Sequence, residues 1–137
     1  MSYDPLKGHA ALRRGRVSQA NASYFITLCT ADRGTGLMQA AVASVLLHEM
    51  HAMQADETWR PRCGVIMPDH VHLLVRLGER LPLSRAVQRF KAKTAVVLRA
   101  DGLAWERGFF DRRLRDETEV GAVFSYIYLN PYRAGLS

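Results

Sequence analysis

The chain has 137 residues, 48% of them hydrophobic and 23% charged, with 19 Lys+Arg against 13 Asp+Glu, a formal charge of +6 and a pI near 9.8. That length buries enough surface for one self-sufficient domain without a disulfide or structural metal, and the charge points to an anionic partner, nucleic acid ahead of membrane. No long apolar stretch, cleavage signal or lipidation motif is visible, which excludes a membrane span by this reading and makes the cytoplasm the default location.

Residues 1–22 are polar and basic (Lys7, Arg13, Arg14 and Arg16 face only Asp4 as an acid) and read as an N-terminal arm preceding a domain at 23–137. Tyr24 to Thr30 is a dense β-branched and aromatic run, closed by Asp32-Arg33-Gly34, and predicts a first buried strand. From Gln39 to about Ala55, Val42, Val45, Leu46, Met50 and Met53 recur at helical spacing. Trp59 to Met67 and His70 to Leu77 read as two further strands, joined as an antiparallel hairpin through the turn-forming Pro68-Asp69.

A second helix carries Leu83, Ala86, Val87, Phe90, Thr94, Val97 and Leu98 on one face and Arg85, Arg89 and Lys93 on another, ending at Asp101-Gly102. Between Arg80 and Arg99 there are six basic residues and no acid. Such a run is a solvated face about as often as a phosphate-binding one, and a second basic segment at the N-terminus tilts the balance toward phosphate. Trp105 to Leu114 predicts an edge strand. A last helix starts at Asp116 or Thr118, where Asp116 and Glu119 resemble a capping box, and is expected to stop at Pro131. The order strand, helix, strand, strand, helix, strand is that of an α+β, ferredoxin-like (βαββαβ) antiparallel sheet with helices on one face, here with an additional C-terminal helix carrying Tyr126.

His70-Val71-His72 places two imidazoles on the same face of a strand, where both could reach one divalent ion. A His-X-His pair alone is more often two structural histidines than a metal site. Tyr126 and Asn130 lie one turn apart on the last helix. A tyrosine there usually packs its ring and uses its hydroxyl as a hydrogen-bonding group. As a nucleophile a neutral phenol is weak, its free pKa being about 10, and a nearby cation would activate it. Asn130 could offer an amide oxygen or simply end the helix. Tyr128 lies about 200° around the helix from Tyr126 and cannot share its face. His48 and His51 are in the wrong frame for a His-Glu-X-X-His site and read as surface or helix-packing residues. Cys29 and Cys63, embedded in apolar runs without paired thiols, read as reduced core residues.

With His70-Val71-His72, the run Tyr126 to Pro131 followed by Arg133-Ala134-Gly135-Leu136, the segments Leu12 to Ser18 and Tyr24 to Thr27, and Trp105 with Gly108-Phe109 and Asp111, the chain resembles the single-tyrosine HUH transposases. It is most similar to the REP-associated tyrosine transposases of the IS200-like family, over nearly its whole length. The resemblance implies that His70, His72 and Asn130 ligate a divalent metal ion, Mg²⁺ or Mn²⁺, and that Tyr126 attacks a DNA phosphodiester. It further implies an enzyme that nicks and rejoins single-stranded DNA at hairpin (palindromic repeat) sites through a 5′-phosphotyrosine intermediate. Arg13, Arg14 and Arg16 of the arm and Arg85, Arg89 and Lys93 of the second helix would then hold the phosphate backbone. A homodimer is a further expectation, because the segment from Asp116 to Asn130 could dock on its own subunit or on a partner. The alternatives are a non-catalytic ferredoxin-like nucleic-acid-binding module, or a metal nuclease that activates water.

Overall fold

The computed structural model describes residues 18–133, with side chains described as far as Ile127. Its elements are β1 (Ser23–Cys29), a short 3-10 turn at Ala31–Arg33, α1 (Ala40–Ala55), β2 (Trp59–Ile66), β3 (His70–Leu77), α2 (Leu83–Ala100), β4 (Phe110–Leu114) and α3 (Glu117–Arg133). The four strands form one antiparallel sheet in the order β2-β3-β1-β4, the βαββαβ arrangement expected from the sequence. β1 and β3 are central and almost wholly buried, which is why both read as near-continuous apolar runs. β2 is an edge strand and carries Pro61, whose missing N–H a central strand would not tolerate, next to a break in register before Cys63.

Alternation along β1 and β3 divides the core in two. Tyr24, Ile26, Leu28, Val71, Leu73, Val75 and Leu77 point to one face, where they pack against the apolar stripes of α1 (Val42, Leu46, Met50, Met53) and α2 (Leu83, Val87, Phe90, Leu98). Phe25 and Leu74 point to the other face and pack with Leu114, Val120, Val123 and Ile127, so α3 lies over that side, across β2 and β3. α3 begins where the Asp116 carboxylate accepts the Glu119 N–H at 2.9 Å, capping one otherwise unpaired donor. The other half of the expected box is absent, because the Glu119 carboxylate instead accepts from Arg112 Nη2 at 3.4 Å.

Two expectations are corrected. The final strand is shorter than Trp105 to Leu114: Trp105 makes only an isolated bridge to Thr30, and the chain turns at Gly108, whose φ of 80° suits a residue without a side chain. Lys91 Nζ holds that loop by donating to the carbonyls of Glu106 and Gly108. The last helix does not stop at Pro131 but runs on to Arg133. The proline preference is local; in the final turn it costs one backbone hydrogen bond, the one its missing N–H would have given to the Ile127 carbonyl.

Leu74 is fully buried beneath α3. Leu74→Ala is therefore expected to lower unfolding free energy by about 2–5 kcal/mol, measured by urea denaturation. Asp116→Ala should cost about 1 kcal/mol in the same measurement through loss of the helix cap.

Candidate active site

Pairing of β1 with β3 sets Thr27 opposite His72 and Cys29 opposite His70. The two imidazoles project from the α3 side of the sheet with ring centroids 4.7 Å apart. The Tyr126 ring lies 5.8 Å from that of His72, edge-on, and 6.2 Å from that of Phe25. Residues separated by more than fifty positions in the chain thus meet because α3 lies along the same face that the histidines occupy.

Each histidine is held through Nδ1. His72 Nδ1 is 2.9 Å from Thr27 Oγ1, and His70 Nδ1 is 2.7 Å from Asp69 Oδ1. Asp69 is anchored in turn by Arg33, whose Nε donates to Oδ2 at 2.9 Å. Arg33 reaches it from the turn after β1, where Asp32 and Arg33 both take left-handed backbone conformations (φ 54° and 55°). The turn is pinned to the β2–β3 connection: Thr30 N–H donates to the Asp69 carbonyl, and the Gly36 and Leu37 N–H groups donate to that of Pro68.

Burial would raise the Asp69 carboxyl, but the hydrogen bonds from Arg33 and His70, with the charge of both, outweigh it and hold the group below its ordinary value. An ionised carboxylate only accepts, so it fixes a proton of His70 on Nδ1 and turns Nε2 toward any ligand the face could take. His72 is 2% exposed, and burial, reinforced by the neighbouring His70, pushes its pKa down to about 3. It is a neutral imidazole at physiological pH, the form that binds a metal. Two imidazole rings on one face could offer nitrogen donors to a first-row divalent ion completed by oxygen ligands. Among the described residues no cluster of three or more His, Cys, Asp or Glu accompanies them, so any further ligand must be of another kind or lie elsewhere. The side chain of Asn130 lies outside the described residues, although the backbone of α3 keeps position 130 one turn beyond Tyr126.

The other candidates are distributed differently. Arg13, Arg14 and Arg16, and with them most of the N-terminal arm, lie outside the described residues. Arg85, Arg89 and Lys93 are on α2, which packs on the opposite face of the sheet from the histidines, and Arg89 Nη2 is engaged by Asp56 at 2.7 Å. His48 and His51 are exposed on α1. Cys29 is a buried free thiol, while Cys63 is half-buried, with burial pushing its pKa up to about 11. Thr27, Asp69 and Arg33 escape a sequence reading as site residues. Thr27 shares the parity of Phe25 along β1, but its pairing with His72 depends on a register the sequence does not print.

The IS200-like transposase family model matches residues 18–129, which span every element of the sheet together with the histidine pair and Tyr126. The chain belongs to the IS200-like transposase family. A Haemophilus influenzae protein named as a REP-associated tyrosine transposase is 29% identical, over 51% of this chain and 48% of that protein, so the chain matches about half the length of this curated relative. Among solved structures, a REP-associated tyrosine transposase bound to a REP hairpin superposes with a TM-score of 0.75 at 20% identity, covering 89% of this chain and 73% of that one. A protein described as a transposase from Deinococcus radiodurans gives a TM-score of 0.59 at 19% identity, covering 84% and 95%. At such identities these likenesses establish the shared α+β fold. No helix among the described residues of this family member is long and apolar enough to cross a membrane.

The folded pKa of His72 lies below the unfolded value of 6.5, so the unfolded chain binds the extra proton first as pH falls. In EDTA, stability is expected to be full above pH 6.5 and to decline from there toward pH 3, with a slope contribution of at most about 1.4 kcal/mol per pH unit. His72→Gln should flatten that part of the profile in denaturant titrations.

Proposed function

We propose that the chain is a metal-dependent, single-strand-specific DNA nicking and joining enzyme acting at hairpin sites, with Tyr126 as nucleophile. The observation that carries this reading is the convergence of His70, His72 and Tyr126 on one sheet face, with both histidines held through Nδ1. The family supplies transposition as the context, and the solved relative bound to a REP hairpin supports a hairpin as the substrate. His70 and His72 would hold the ion, Mg²⁺ or Mn²⁺, with Asn130 as third ligand. When bound, such an ion neutralises a scissile phosphate and favours the phenolate.

The remaining chemistry falls to the chain. Tyr126 Oη attacks phosphorus, an Oη–P bond forms and the P–O3′ bond breaks. The phenol proton is released and the departing 3′ oxygen gains one, leaving a 5′-phosphotyrosine and a free 3′-hydroxyl. Because the phosphodiester energy is retained in the tyrosyl ester, attack by a 3′-hydroxyl reverses the step, which hydrolysis by water would not allow. Asp69, backed by Arg33, and Thr27 orient the two imidazoles throughout. Arg13, Arg14 and Arg16 are assigned to holding the strand. Arg85 and Lys93 would have to engage DNA wrapped beyond the histidine face.

The protein incubated with hairpin-bearing single-stranded DNA and Mg²⁺ or Mn²⁺ should give a protein–DNA species that survives denaturing electrophoresis. The species should vanish in Tyr126→Phe, and fall by two orders of magnitude or more, roughly, in His72→Ala. Cleavage without an adduct would sink the tyrosine mechanism in favour of activated water, and DNA binding without any cleavage would leave a binding module.

A further inference from the structure

On the sheet face opposite the histidines, the loop from Trp105 to Phe109 and the adjoining flank of α2 enclose a cleft of about 540 Å³. Trp105, Phe109 and Val87 give it an aromatic and apolar lining, and the exposed Gln88 and Arg107 add an amide and a guanidinium. The aromatic part is fixed before anything binds. Trp105 Nε1 donates to Thr94 Oγ1 at 2.9 Å, its ring lies 6.2 Å from that of Phe90, and Lys91 Nζ ties down the loop through the carbonyls of Glu106 and Gly108. A planar surface held in this way loses little freedom when a ligand stacks on it.

The cleft opens on the other face, yet it is close to the histidines. The Glu106 N–H donates to the Cys29 carbonyl at 2.8 Å and Cys29 is the register partner of His70, so the lateral separation is two strand spacings, about 10 Å. β4 is an edge strand, and among the described residues no further strand stands between the two faces there. Phe110, next in the chain to Phe109, is half-buried on the histidine side opposite Thr27, so consecutive aromatic residues flank the edge of β4 on its two sides.

We infer that this cleft takes an unpaired nucleobase of the DNA strand that meets Tyr126, after that strand has turned over the edge of β4; the inference rests on the DNA-cleaving reading. Each lining group has its counterpart in a nucleotide. An aromatic face stacks on a base of any sequence. The Gln88 amide presents a donor and an acceptor side by side, the pair that matches adenine N7 and N6. A guanidinium, planar and always charged, suits the phosphate that accompanies the base. A base inside a duplex is covered on both faces and must leave its stack to enter a cleft, which selects an unpaired strand. An apolar protein side chain would use Trp105 and Phe109 and leave Gln88 and Arg107 idle. The separation of about 10 Å corresponds to about three stacked nucleotides at about 3.4 Å each.

The test is equilibrium binding by fluorescence anisotropy in EDTA, where no cleavage occurs. The probes are a DNA hairpin with a short unpaired flank and a series in which one abasic site replaces each flank nucleotide in turn. Loss of the base at one position, about three nucleotides from the point of cleavage, should weaken binding about fivefold to a hundredfold. Phe109→Ala and Gln88→Ala should weaken binding of the intact probe but not of the probe lacking that base, so the two losses do not multiply. Phe109→Leu, which keeps apolar packing without the aromatic face, should bind as Phe109→Ala does while melting close to the wild-type temperature. Trp59 and Trp105 are the two tryptophans, so in Trp59→Phe the remaining indole reports on the cleft. Its fluorescence should be quenched by the intact probe and not by the one lacking the sensitive base. Losses that multiply at every position, an abasic series without a sensitive position, or unchanged Trp105 fluorescence overturn the inference. The covalent-adduct assay is read separately: an adduct without a sensitive position removes only the base cleft, and a sensitive position without an adduct removes only the nucleophile assignment.

Discussion

The antiparallel register between β1 and β3 is the constraint from which the site follows. It puts Thr27 across from His72 and Cys29 across from His70, and it puts the end of β1 beside the Pro68-Asp69 connection, so that Arg33 can reach Asp69. A slip of one residue in β3 would send both imidazoles into the packed side under α1 and α2, replacing Val71 and Leu73 there with groups that need polar partners. The apolar alternation of β3 makes that slip costly. The same residues that stabilise the sheet therefore fix the parity of the two histidines.

The second consequence of this sheet is a division between its faces. α1 and α2 satisfy the larger apolar side, and their role is to make β1 and β3 rigid. The other side is covered more sparsely, among the described residues by Phe25, Leu74 and Leu114 of the sheet against Val120, Val123 and Ile127 of α3, and it is here that polar groups are admitted. His72 is accommodated in that setting because it is neutral and hydrogen-bonded to Thr27, whereas a charged imidazole at 2% exposure would have no compensating partner. Asp69 and Arg33, nearer the edge, keep their charges because they have each other and water.

Much of this was legible in the chain itself. The βαββαβ order follows from periodicities of two and 3.6, and His70, His72 and Tyr126 stand out because their spacings put reactive groups on defined faces. The fold and the family reading hold. Tertiary information was not legible: nothing in the run Tyr24 to Thr30 tells that Thr27 will meet His72, and Asp69 looks like a turn residue because it is one as well. The arginines of α2 show the limit most clearly. Helical spacing correctly separates them from the apolar stripe, but which side of a sheet a helix takes is settled by the handedness of the crossover and the strand order, not by its own residues. Arg89 is then drawn to Asp56, thirty-three residues earlier, by a contact only the folded chain creates. Trp105 likewise has the composition of a strand, yet its indole N–H is claimed by Thr94 Oγ1 on α2, which holds it at the sheet margin.

The short connection between Leu114 and Glu117 fixes the start of α3 to the end of β4, and Val123 and Ile127 hold the helix against the sheet farther along. Tyr126 sits nine residues from the start of the helix, about 14 Å out at 1.5 Å per residue, so a tilt of about four degrees at the base carries the ring through about 1 Å. Displacements of that size are enough to cost a reacting group on the order of a hundredfold in rate. If Tyr126 is the nucleophile, as proposed, angular stiffness at the base of α3 is therefore a catalytic tolerance in its own right. The Asp116 cap, the Arg112–Glu119 pair and the cluster of Val120, Val123 and Ile127 with Phe25, Leu74 and Leu114 are the parts that set it.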